Sequence, residues 1–112
     1  SPLAGGLLTG KYLNNKIPED SRLTRVSTIS GRINKNSLKA VELYMILSKK
    51  FGLHPIHLAL SFCTSRPFMG SVIFGATTNE QLNLILKGID VNLSEDILSE
   101  ISKIHKKYCL TF

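Results

Sequence analysis

The stretch Ser71-Val72-Ile73-Phe74-Gly75-Ala76-Thr77-Thr78-Asn79-Glu80-Gln81-Leu82 sets the tightest limit on what this chain can fold into. Val72, Ile73 and Phe74 are β-branched or aromatic in a run too short for a helix, so they predict a buried strand. Gly75 then predicts a tight turn, and Thr78 with Gln81 three residues on has the spacing of a capping box at a helix start. Strand, turn and helix in that order make an α/β unit. Unpaired amides and a positive dipole end would face an anion beyond the strand's carboxyl edge, a phosphate being the natural candidate. The same residues also describe an ordinary capped β-to-α connection, so the motif is a hypothesis rather than a site.

A second glycine-rich stretch opens the chain: Ser1-Pro2-Leu3-Ala4-Gly5-Gly6-Leu7-Leu8-Thr9-Gly10-Lys11-Tyr12. Its glycines disfavour a regular helix and Pro2 a central strand, so a loop is expected. Gly5 to Lys11 fits G-x-x-x-x-G-K, but Tyr12 stands where a P-loop needs Ser or Thr for magnesium, and no helix pattern follows. Glycine amides and Lys11 could meet a diphosphate without a metal. Residues 13–36 are polar, without periodicity, and contain Pro18, Gly31 and the cations Arg22, Arg25 and Arg32. A connecting loop of that length is expected to be either a functional lid or disordered.

From Ser37 the pattern turns helical. Ala40, Tyr44, Leu47 and Phe51 recur at intervals of three and four, and Gly52 provides a stop. Pro55 suits a first helical position, with Ile56, Ala59, Leu60 and Cys63 as the apolar stripe of a second helix ending before Pro67. His54 and His57 at its start are expected to be capping or surface residues. A helix from about Asn79 to Gly88 is expected to turn Leu82, Leu86 and Ile89 to a core. A final helix follows the N-cap Ser94, with Glu95 and Asp96 in its first turn and Lys103, Lys106 and Lys107 in its last. Its predicted apolar face is Ile97, Leu98, Ile101, Ile104, His105 and Tyr108, with His105 a packing residue.

The chain has 112 residues, 43% of them hydrophobic, which suits one small globular domain. No apolar run approaches the roughly 20 residues that cross a bilayer, and no signal-like start is present, so membrane insertion is not expected and a cytoplasmic setting is. Cys63 and Cys109 lack zinc or redox spacing and read as free thiols, Cys63 as core rather than nucleophile; no metal site is expected. The net charge of +6 is spread along the chain without aromatic interleaving. That pattern argues against a nucleic-acid platform and is compatible with a solvated basic surface or an anionic cofactor.

Taken together, these pieces are similar in order and spacing to the carboxyl-terminal third of aldo/keto reductases, the group with the potassium-channel β subunits in particular. The resemblance is carried by the opening residues 1–12, then Pro18, Ser21-Arg22, Gly52-Leu53, Pro55 and Leu58-Ala59-Leu60. It continues through Ser65-Arg66-Pro67-Phe68, Ser71-Val72-Ile73, Gly75-Ala76-Thr77, Glu80-Gln81-Leu82, Leu93-Ser94 and Ile104-His105. It implies an α/β fold: the last strand and flanking helices of a TIM (β/α)8 barrel, with residues 1–112 a partial NADP-dependent oxidoreductase domain whose amino-terminal part is absent.

The resemblance further implies that NADP(H) lies across the strand ends. Ser1, Leu3, Gly6 and Lys11 would sit nearest its diphosphate, Arg22 would belong to a lid, and Gly75, Thr77 and Gln81 would receive the 2′-phosphate and adenosine end. Leu84-Ile85 stands where the family commonly has a polar pair for adenine. No residue matches the family's Asp, Tyr, Lys and His tetrad, so none here is assigned as catalytic, and a missing amino-terminal barrel segment is an expected partner. A small carbonyl compound is the implied substrate of the complete protein; the alternatives are a non-catalytic regulatory subunit or a truncated gene remnant. Alone, the piece is expected to be marginal, because a barrel strand has no partner close in sequence.

Overall fold

Five α-helices form among residues 1–109, which this computed structural model describes, the last four from the expected helical segments: α1 (Arg22–Arg25), α2 (Lys35–Lys50), α3 (Pro55–Thr64), α4 (Asn79–Leu86) and α5 (Glu95–Lys107). Short 3-10 turns at Ala4–Thr9 and Leu13–Asn15 precede them. Each long helix begins where a side chain can accept its free amides. Asn34 Oδ1 takes the Asn36 and Ser37 amides at 3.0 Å each, and the Ser37 hydroxyl accepts from the Asn34 amide in return. His54 Nδ1 accepts from Ile56, the Thr78 hydroxyl from Gln81 and the Ser94 hydroxyl from Ile97. Gly52, at φ +64°, lets the chain leave α2 through the left-handed region.

α2 is the spine because both of its faces are used. Toward the amino end, Val41 joins Leu7, Tyr12 and Ile29 in one buried cluster. Toward the carboxyl end, Leu47 joins Leu58 of α3 and Ile97 and Ile101 of α5 in another. Each buried aliphatic side chain stabilises the fold by about 1.5–3 kcal/mol relative to exposure. The expected stripes of α2 and α5 therefore reach a core. Sequence reading missed Leu58 and Ser61, which are the deeply buried positions of α3 together with Ile56.

Three expectations fail. No strand is present among the described residues: the segment 71–74 takes no regular structure, with Ile73 83% and Phe74 37% exposed. A strand's amides and carbonyls need a neighbouring strand, and no strand is assigned among the described residues to pair with it. The observed architecture is accordingly helical, and the barrel's last strand is not formed here. On α4, Leu82, Leu86 and Ile89 face outward, at 38%, 46% and 74% exposure, while Ile85 is buried at 5%. The stripe was placed one step around the helix, because without the strand its predicted face stays exposed among the described residues. His105, expected to pack in the core, is exposed on α5.

Residues 13–36 are neither a regular lid nor free of structure. Ile29 is 2% exposed and plugs the first cluster, lying against Gly5. It does so from a left-handed conformation, φ +47°, that a β-branched residue rarely adopts.

Candidate functional site

The opening residues fold back on themselves through a run of left-handed positions, Ala4 at φ +49°, Gly5 at +69° and Gly6 at +95°. The Ser1 hydroxyl accepts the Gly5 amide at 3.1 Å, and the Leu3 carbonyl accepts the amides of Gly6 and Leu8 at 2.9 and 3.2 Å. The Thr9 hydroxyl donates to the Gly6 carbonyl at 2.7 Å. This turn is thus built from its own polar groups. Leu3 acts through its backbone, and the Gly5 and Gly6 amides are engaged inside the turn instead of being open to a phosphate.

What approaches the turn from outside is positive charge. Lys11 Nζ lies 3.2 Å from the place a Gly6 Cβ would occupy, and 5.1 Å from the centroid of the Tyr12 ring. Arg22 Nη1, from the first turn of α1, lies 3.7 Å from the place a Gly5 Cβ would occupy. Among the described residues, neither cation has a carboxylate within ion-pair distance. Lys11 and Arg22 thus lie beside neighbouring glycines of the turn that Ser1 and Leu3 close, Gly6 leaving room for the Lys11 side chain and Gly5 for Ile29, with Arg22 alongside. Two cations beside one short turn, without a carboxylate partner among the described residues, are chemically compatible with an anion such as a diphosphate.

Magnesium-nucleotide chemistry does not fit the same loop. Tyr12, in the metal-ligand position of the P-loop pattern, is buried at 3% exposure in the hydrophobic cluster, and a 3-10 turn follows it. Among the described residues no group of three or more potential metal ligands gathers.

Gly75, Thr77 and Gln81 lie on a separate turn. The Gln81 side-chain oxygen, Oε1, accepts from the Thr77 backbone amide at 3.0 Å and from its hydroxyl at 3.1 Å, while the Gln81 backbone amide donates to the Thr78 hydroxyl. Half of the expected capping box forms, and the glutamine side chain reaches one residue further back than the motif predicts. Gly75 has nothing within 4 Å of a Cβ and no left-handed φ, so the tight turn expected to require a glycine is not present here. The Glu80 carboxyl occupies the start of α4, held below the usual carboxylate range by its own backbone amide and the Thr78 hydroxyl. A phosphate at this helix end must displace it.

Beneath Ser1 and Pro2, a cavity of about 270 Å³ opens between α2, α3 and α5, lined mainly by apolar side chains such as Leu8, Met45, Leu58 and Phe62. Burial raises the pKa of the Tyr44 phenol and of the Cys63 thiol on its wall. Cys63 is held as the neutral thiol, as a packing residue would be, and not as a nucleophilic thiolate.

Residues 1–106 match the Aldo/keto reductase family. The chain belongs to that family. This aldo/keto reductase chain is 39% identical over 108 residues to Protein tas of Escherichia coli, covering 96% of the chain and 31% of the relative. It is 37% identical over 94 residues to a probable voltage-gated potassium channel subunit beta of Arabidopsis thaliana, covering 81% of the chain and 29% of that relative. To the uncharacterized oxidoreductase YrpG of Bacillus subtilis it is 33% identical over 104 residues, with 93% and 30% covered. The chain thus spans about a third of the length of these curated relatives, and the resemblance read from its motifs holds.

Proposed function

We propose that residues 1–112 form the NADP(H)-binding carboxyl-terminal portion of an oxidoreductase that reduces carbonyl compounds to alcohols. The observation that carries this reading is that Lys11 and Arg22, neither with a carboxylate partner among the described residues, both lie against the double-glycine turn. Lys11 and Arg22 balance the charge of the cofactor diphosphate, and the Ser1 hydroxyl, whose oxygen already accepts from Gly5, has its proton left to donate. Thr77 and Gln81 meet the adenosine end once Glu80 swings away from the helix start, with Gly75 leaving the approach open. Bound NADPH supplies a hydride to the carbonyl carbon. Proton donation falls to the family's Asp, Tyr, Lys and His, which no residue here matches, so the proposal includes an amino-terminal barrel segment as the partner that completes the site.

That segment would also pair with residues 71–74 and cover the outward face of α4, converting the helical arrangement into the end of a (β/α)8 barrel. Among the described residues no helix is long and apolar enough to cross a membrane, and we place the protein in the cytoplasm, with neither membrane insertion nor nucleic acid in its function. A second reading, a regulatory subunit without catalysis, is favoured by one observation: relatives at 37% identity are named as potassium-channel β subunits.

The test is NADPH titration of the chain, alone and with an amino-terminal barrel segment, followed by cofactor fluorescence. Lys11→Ala and Arg22→Ala should each weaken binding by about 1.5–3 kcal/mol, the range for a charge-assisted contact. Unchanged affinity in both variants refutes the assignment. Carbonyl reduction by the completed protein separates the enzyme from the regulatory subunit.

A further inference from the structure

Helix α4 is held to the rest of the molecule in an unusual way. It buries a single side chain, Ile85, while Leu82 and Leu86 stay exposed. Its last turn shows where the hold comes from. The Lys87 amide donates to Asn83, the Gly88 amide to Ile85 and the Ile89 amide to Leu86, so each of these carbonyls finds a backbone donor just past the helix end. The Leu84 carbonyl is the one in that turn that instead takes a side chain: His57 Nε2, from α3, lies 2.6 Å away. A carbonyl can only accept, so Nε2 carries the proton. Gly88 makes this possible. It is buried, and any Cβ there would overlap the His57 ring. Its φ is not left-handed, so glycine is required here for space and not for backbone conformation.

We infer that His57 is a positioning residue: its ring, seated on Gly88 and bonded to the Leu84 carbonyl, locks α4 against α3 and so fixes the Thr77–Gln81 turn at the other end of α4. Among the described residues, the buried Ile85 side chain and this hydrogen bond are what hold α4, and of the two only the hydrogen bond is directional, so it fixes the helix's orientation. α4 is only eight residues long, so a rotation at Leu84 displaces the whole turn. That this turn receives the 2′-phosphate end of the cofactor rests on the function proposed above; the lock does not.

Hydrogen–deuterium exchange of the full chain, read by peptide, tests it with three variants. His57→Ala removes the donor, and Gly88→Ala expels the ring while keeping the histidine. His57→Gln carries an amide Nε2 that can still donate to Leu84. Exchange across residues 79–88 should rise at least about tenfold in the first two variants, with α2 and α5 unchanged, and return to within about threefold of wild type in the glutamine variant. Unchanged exchange in α4 on His57→Ala overturns the inference. Equal loosening of α2 and α5 also overturns it, since that is the signature of a general packing role, and so does failure of His57→Gln to restore protection. A wild-type chain that binds no NADPH either alone or with an amino-terminal barrel segment refutes the cofactor reading, while the exchange comparison still decides the lock.

Discussion

Replacing Gly5 by alanine puts two separable strains on the double-glycine turn. The residue sits at φ +69°, and a Cβ there overlaps Cγ2 of the buried Ile29. The left-handed conformation alone costs an L-residue about 1–2 kcal/mol. Forcing a methyl group against a packed side chain adds about 1–3 kcal/mol, because Ile29 must shift within a filled cluster. Gly5→Ala should therefore destabilise the chain by about 2–5 kcal/mol. Gly52 provides the control: its φ of +64° is nearly the same, but nothing lies within 4 Å of its Cβ position. Gly52→Ala should cost only the conformational part, about 1–2 kcal/mol. Urea unfolding followed by circular dichroism measures both, compared at equal m-value. A third variant, Gly5→Ala with Ile29→Ala, relieves the overlap and should show favourable coupling between the two sites. Gly5→Ala costing no more than Gly52→Ala, or no coupling in the double variant, would refute the packing of Ile29 against the turn.

Three further outcomes are expected. Burial, and secondarily the neighbouring His57, lowers the pKa of His54, whose Nδ1 caps α3 only when unprotonated. Its folded-state value lies below the unfolded one, so this contribution is complete above about pH 6.5 and lost as the pH falls through the folded value; thermal scans from pH 7.5 to 5 should show a decline that His54→Asn, which caps at any of these pH values, removes. Asn34→Ala deletes the acceptor of the α2 capping box and should cost about 0.5–2 kcal/mol in urea unfolding, with Asn34→Ser retaining most of it. Ile73→Lys, at the most exposed apolar position of the unpaired segment, should reduce concentration-dependent light scattering without lowering the melting temperature, whereas a melting temperature that falls by several degrees would show that Ile73 is packed.

The helices were legible in the sequence because their signals are local. Pro55, Thr78 and Ser94 mark starts by chemistry acting within three residues, and the 3.6-residue period of α2 and α5 marks what they bury, whereas the Asn34 cap of α2 was passed over because it sits inside a stretch without periodicity. The strand at 71–74 was legible only as a preference, since whether it pairs depends on backbone elsewhere. The misread face of α4 follows from the same cause. Leu82, Leu86 and Ile89 form an apolar stripe that suits a covered helix, but in this fold the cover is absent and Ile85 and Gly88 face inward instead. Ile29 carried no readable signal, being one apolar residue in a polar stretch, although a double glycine upstream hints that something packs closely there. Of the cations of the candidate site, Lys11 was legible from the glycine-rich loop itself and Arg22 only through resemblance to a family, and their meeting at one turn depends on how α1 returns to it, which no local pattern encodes.

Chemical-shift mapping with NADPH tests the central claim most directly, using isotope-labelled chain with and without an amino-terminal barrel segment. The account predicts saturable shifts at Ser1, Gly6, Lys11 and Arg22, smaller ones at Thr77 and Gln81, and none with Mg-ATP at equal concentration. Shifts confined to surface lysines such as Lys103 and Lys106, or equal shifts with Mg-ATP, would contradict it.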